Sequence, residues 1–138
     1  MNNLLKITLR LSAILFTFFF FFFFRLFMYM VKSRFKNCGL NVIFNPFDSF
    51  SFSTISIGSH VFIGSGAIFS ASESAINIDN KVMFGPRVTI MGGDHNTSEI
   101  RRFMIDIKNK RDEDDLPVII EDDVWFGACV TILKGVRI

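Results

Sequence analysis

The chain has 138 residues, half of them apolar, and a net charge of only +2. That length limits it to one domain with at most an appendage. The low, scattered charge argues against a nucleic-acid partner, and Cys38 and Cys129 form no CxxC pair, so reduced thiols rather than a disulfide or zinc framework are expected.

Residues 1–36 hold most of the apolar excess, centred on LSAILFTFFFFFFFRLFMYMV (Leu11 to Val31). The uncharged part, Leu11 to Phe24, makes a helix of about 21 Å, short of a bilayer core of roughly 30 Å. Continuing through Arg25 to Val31 gives about 31 Å, with Arg25 off-centre and able to extend towards the headgroups. This predicts an N-terminal apolar helix over residues 1–36 that associates with a membrane through residues 11–31. The competing reading is an apolar helix packed against its own domain or another subunit. A cleaved signal peptide is disfavoured, because bulky residues rather than a small-x-small site follow the run. Lys6 and Arg10 precede the run and Lys32, Arg34 and Lys36 follow it, so charge specifies topology poorly.

From about Asn41 the chain acquires a period of six. The units begin IGSHVF (Ile57), IGSGAI (Ile63), IDNKVM (Ile78), FGPRVT (Phe84), IEDDVW (Ile120), FGACVT (Phe126) and ILKGVR (Ile132). Position one is always Ile or Phe, and position five is Val or Ala. A helix of 3.6 residues per turn does not keep such a face, whereas six is a multiple of the strand period. Short strands with a corner per unit, supplied by the glycines of position two and by Asn/Asp-containing sites, make a three-sided coil. Stacked coils bond to each other about 4.8 Å apart and bury position one together.

Two interruptions break the beat. Between Phe69 and Ile78 it slips by three residues across SASESAIN, which reads as a bulge or corner insertion. From Gly92 to Pro117 the polar stretch GGDHNTSEIRRFMIDIKNKRDEDDLP lacks the repeat altogether. A loop leaving a rigid scaffold is where chemistry tends to sit. The break carries His95, one of only two histidines.

The pieces IGSHVFIGSGAIFSAS, GGDHN and PVIIEDDVWFGACVTILKGVRI resemble the bacterial transferase hexapeptide-repeat acyltransferases, close to sugar and polysaccharide O-acetyltransferases and xenobiotic acetyltransferases. The resemblance covers residues 40–138. It implies an all-β fold, a left-handed parallel β-helix, from which loop 92–117 is extruded. It implies acetyl-CoA as cosubstrate, no metal, a small-molecule or glycan acceptor and a homotrimer. It also implies that His95 is the catalytic base, with Asp94 and Glu99 as candidates to orient its ring. Trp125, Gly127, Ala128 and Asn96 are the implied substrate- or cofactor-binding residues. The chemistry is self-consistent: acyl transfer from a thioester needs the hydroxyl proton removed as oxygen attacks, and a neutral imidazole accepts it at pH 7. Backbone N–H groups would hold the oxyanion, and transfer is expected to be direct.

Other residues carry blander readings. His60 is a surface or inter-subunit residue at position four, Cys129 a structural thiol, and Asp112 to Asp115 a solvated loop run. Metal-dependent hydration would need three histidine ligands, and the chain has two histidines in all. The chain reaches Ile138 at position one of a further hexapeptide, where the resemblance implies more coils, so a fragment or truncated gene is expected. The expected function is acetyl-CoA-dependent O-acetylation of a sugar hydroxyl in surface-polysaccharide biosynthesis, in the cytoplasm or at the cytoplasmic face of the inner membrane. The alternative is a catalytically inactive truncated hexapeptide-repeat protein with a structural or assembly role.

Overall fold

A computed structural model describes residues 2–138. They open with one helix, α1 (Asn3–Lys32), whose N-terminus is capped by the Asn2 side chain accepting from the Leu4 N–H. No glycine or proline interrupts it, and its 30 residues span about 45 Å. It is long and apolar enough to cross a membrane. Its leucines and phenylalanines face outwards, and within it only Met28 and Val31 are buried. The reading in which the whole helix packs along its own domain therefore does not hold; only its last turns do so.

The rest of the chain is a three-sided parallel coil. The first face stacks β1 (Asn37–Cys38), β3 (Ile55–Ile57), β6 (Ile76–Ile78) and β9 (Val118–Ile120). The second stacks β4 (Phe62–Ile63), β7 (Met83–Phe84) and β10 (Trp125–Phe126). The third stacks β2 (Ser49–Phe50), β5 (Ile68–Ser70), β8 (Thr89–Met91) and β11 (Thr131–Leu133). All pairs are parallel: Ile55 lies on Ile76 and Ile76 on Val118.

Position one lines the interior as the spacing predicts. Ile57, Ile63, Ile78, Phe84, Ile120, Phe126 and Ile132 are all buried. Each contributes roughly 1.5–3 kcal/mol of burial. The repeat also begins earlier than it reads in the sequence. Cys38, Phe44 and Phe50 occupy position one of a first coil starting at Asn37, and Ile43 bridges to Phe62. Phenylalanine at position one hid this coil among the aromatic excess. Inside, those rings form a ladder: Phe50 on Phe69 at 5.4 Å, Phe69 on Phe84 at 5.2 Å, and Phe84 on Phe126 at 5.0 Å. Phe35 meets Phe44, Phe50 and Phe52, and with Met28 and Val31 it seals the end of the first coil.

The corners are not made where the sequence suggested. In all seven hexapeptides the residue with positive φ is at position four: His60, Gly66, Lys81, Arg87, Asp123, Cys129 and Gly135, between 58° and 82°. The glycines of position two answer a different need, the close passage of the next coil. A Cβ on Gly64 would stand 2.7 Å from the Gly85 carbonyl carbon, whereas one on Gly127 would meet nothing within 4 Å. Gly64→Ala is thus expected to destabilise the fold by about 1–3 kcal/mol, and Gly127→Ala to leave it unchanged. Thermal unfolding of the two variants in detergent checks this; equal melting temperatures would contradict the stacking account.

Candidate functional site

The site follows from where the coil accommodates surplus residues. Three hexapeptides take 18 residues, while successive coils are offset by 19, 21 and 42. The surplus falls at one corner each time, between the third face and the first. There lie the 3-10 turn Phe52–Thr54, the segment between β5 and β6, and the long loop between β8 and β9. Strand registers on all three faces are otherwise constant.

The loop leaves the coil through two glycines under close contact. A Cβ on Gly92 would lie 2.7 Å from the Ala71 Cβ, and one on Gly93 would lie 2.5 Å from Asp115 Oδ1. The loop's two ends then join, the Asp94 N–H donating to the Asp114 carbonyl at 2.9 Å. Lys134, from the turn after β11, clamps both ends: its Nζ donates to the Glu113 carbonyl at 2.9 Å and lies 3.6 Å from the Asp114 carboxylate and 3.9 Å from that of Asp94. Asp114 is buried. It accepts from the Arg111 backbone N–H at 2.9 Å and from the guanidinium at 3.0 Å. These bonds, with the charge of Lys134 behind them, hold its carboxyl at about 2. The run Asp112–Asp115 is therefore not merely a solvated stretch; the Arg111–Asp114 spacing of three was the available signal.

His95 projects from the start of this loop, exposed, between two clefts. One, of about 260 Å³, is mixed: Ser72, Asp94, Lys110 and Asp115 line it beside Ala71 and Met91. Lys110 bridges it, 2.9 Å from both Glu73 and Asp115, and these bonds raise its pKa so that it stays charged. The other, of about 300 Å³, is walled by Met104 and Ile105 and is apolar. One imidazole thus faces a mixed cleft that carries charged groups and an apolar one.

The remaining residues singled out from the sequence are placed as follows. Asp94 Oδ1 accepts the backbone N–H of His95 at 3.0 Å, not its ring. Glu99 pairs with Arg102 at 2.7 Å. Among the described residues no side chain hydrogen-bonds the His95 ring. Asn96 is buried and fully used inside the loop, donating to the Asn109 carbonyl and accepting from Ser98, which makes it a staple of the loop rather than a lining residue. Trp125 is 74% exposed on the second face, and Gly127 and Ala128 follow it at the corner to the third. In a three-sided coil that face is opposite the corner bearing His95, so the two do not meet within one chain. Lys110, Asp115 and Lys134 were not anticipated. Lys110 and Asp115 pair within the loop, but the contacts of Lys110 with Glu73 and of Lys134 with the loop ends join residues distant in sequence, which the stacking of coils brings together.

Comparison with known proteins completes the picture. The chain is 30% identical over 113 residues to a galactoside O-acetyltransferase of Lactococcus lactis subsp. lactis (strain IL1403), a match covering 80% of this chain and 51% of that protein. It is 28% identical to a hexapeptide-repeat containing acetyltransferase of Vibrio cholerae, solved alone and, from O1 biovar eltor, with acetyl coenzyme A. The TM-scores are 0.66 for the complex and 0.65 for the free protein, over 80% of this chain and 57% and 59% of those chains. In sequence and in fold the chain is similar to these hexapeptide-repeat acetyltransferases. It spans about half the length of the curated relative it matches. No family model matches it.

The clamp makes a testable statement about pH. Asp114 is depressed from 3.8 to about 2 on folding. Its contribution is complete above its unfolded value, near pH 4, and is lost as the pH falls through about 2. Hydrogen exchange of residues 93–116, corrected for intrinsic rate, should show protection falling between pH 4 and pH 2 while the strands hold. Asp114→Asn should lose that protection at pH 7. Unchanged exchange in this variant would remove the clamp from the account.

Proposed function

We propose that this chain is an acetyl-CoA-dependent O-acetyltransferase domain acting on a sugar hydroxyl, with His95 as general base. The observation that carries this is His95 itself, held at the root of the long extruded loop, between a cleft lined by charged groups and an apolar one, in a relative of a galactoside O-acetyltransferase. In the first of these clefts Ser72, Lys110 and Asp115 offer hydrogen bonds suited to a sugar. The imidazole removes the acceptor proton as the hydroxyl oxygen attacks the thioester carbonyl. The C–S bond then breaks, and the proton held by the ring passes to the departing thiolate. Transfer is direct, without an acyl-enzyme. The coil is read as left-handed on the sequence resemblance.

The working unit on this reading is a homotrimer. Its support is the outer surface of the second face, where Ile43, Phe62, Met83 and Trp125 stack in register as one exposed apolar stripe. A neighbouring copy covering that stripe would bring Trp125 and Gly127 of one subunit towards His95 of another, which a single chain cannot do. The open ledge at Gly127 leaves room there for a slender pantetheine arm. The acceptor is a glycan in surface-polysaccharide assembly, and α1 holds the enzyme at the membrane. Because acetyl-CoA is a cytoplasmic metabolite, the coil lies on the cytoplasmic side.

His95→Ala should lower kcat by about 10²–10⁴-fold with the oligomer and its melting temperature unchanged, measured with acetyl-CoA and a panel of galactosides. Near-normal turnover in that variant, or no turnover by the wild-type chain, refutes the reading. Composite sites predict that co-expressed His95→Ala and Trp125→Ala chains regain activity as mixed trimers that neither variant has alone. If mixing restores nothing while each variant assembles, the site is not shared.

A further inference from the structure

A third cleft, of about 410 Å³, opens where α1 meets the first coil. We propose that it binds the phosphate of an anionic lipid headgroup. This rests on the membrane reading of α1, and the experiment below separates the two.

The cleft is lined by Tyr29, Lys32, Lys36, Asn37, Cys38 and Asn41 among others. Its lining residues bring two ammonium groups and a phenol, which match phosphate oxygens, while the Asn37 and Asn41 amides beside them are engaged with Ser56 and His60. Lys32 Nζ sits 4.9 Å over the Tyr29 ring, which holds it at the mouth. Among the described residues neither Lys32 nor Lys36 has a carboxylate within ion-pair distance. No acidic residue occurs anywhere before Asp48, while Lys6, Arg10, Arg25, Lys32, Arg34 and Lys36 all lie in that segment. The chain's charge is segregated: this end carries six cations and no anion. The carbonyls ending α1, which would repel phosphate, are occupied. Those of Met30, Val31 and Lys32 accept from the N–H groups of Ser33, Arg34 and Phe35.

The position fits a headgroup. Lys32 is the first cation after the apolar run resumes beyond Arg25, and an aromatic–cation pair at the end of a span belongs at the membrane surface. Thiol chemistry is not what the cleft is for: burial raises the Cys38 pKa despite the nearby charge of Lys32, so it stays protonated.

Native mass spectrometry of the full chain released from detergent, titrated with phosphatidylglycerol or with inorganic phosphate, tests this. The wild type should retain one phosphatidylglycerol per chain. Lys32→Gln with Lys36→Gln should bind it roughly thirty-fold more weakly. Lys32→Arg with Lys36→Arg should bind it normally, which guards against a folding defect. Lys6→Gln with Arg10→Gln, which removes equal charge at the other end of α1, should bind like wild type. Equal loss in that control, or full retention by the Lys32/Lys36→Gln variant, overturns the proposal. Phosphate binding without lipid binding overturns the lipid assignment. Release of the wild-type chain from membranes by alkaline carbonate would instead overturn the anchor, whatever the lipid count.

Discussion

Register is the constraint from which the rest of the molecule follows. Each coil hydrogen-bonds to the next along three faces at once, Ile55 to Ile76 to Val118 on the first and Ile68 to Thr89 to Thr131 on the third. One residue added inside any strand would turn the buried side chains of that face outwards. Extra length can be absorbed only at a corner, and here one corner takes all of it. A 3-10 turn, a three-residue insertion and a long loop lie one above the other. Irregular backbone with polar side chains is what a reaction centre requires, so the candidate site stands at that corner.

The same geometry explains why the site is built from residues far apart in the chain. Glu73 belongs to the second insertion, Lys110 and Asp115 to the third, and Lys134 to the turn one coil further on. Stacking brings them to one edge. The clamp around Asp114 then converts a polar, heavily charged loop into a positioned one, because a buried carboxylate is tolerable only when its partners are in place. His95 owes its location to this clamp, through Asp94, rather than to any side chain touching its ring.

The sequence made the core legible and the edges obscure. Position one could be read because a single side chain type at a fixed interval has one physical meaning, burial along a stack. The corners were misplaced, since glycine at position two looks like a turn residue yet serves close packing. The left-handed residues of position four include Gly66 and Gly135 but also Lys81, Arg87 and Cys129, which no propensity singles out. The first coil was missed because Phe44 and Phe50 blend into the aromatic excess that precedes them. Of the site, the break at Gly92–Gly93 and its histidine were visible. Asn96 was read as a lining residue because its partner, Asn109, is brought near only by folding, and Asp114 as a solvent residue because its spacing of three from Arg111 does not reveal that the pair is buried under Lys134. The opposition of Trp125 and His95 is likewise a property of the coil, not of any local motif.

The sealed end of the coil joins the helix to this arrangement more firmly than a linker would. Met28 and Val31 at the end of α1, with Phe35 just beyond it, join the aromatic plug on Phe44, Phe50 and Phe52. Swinging the helix would expose that plug, at roughly 1.5–3 kcal/mol per large side chain. Phe47 adds a second brace, its ring 5.3 Å from Phe27 and 6.2 Å from Phe24. With α1 in a bilayer, the coil would stand at a fixed height and tilt. The His95 corner, on the third coil, would then lie about 10 Å beyond the first. On the proposed membrane reading, the height of His95 above the bilayer is thus set by the number of coils below it, not by any side chain in the cleft.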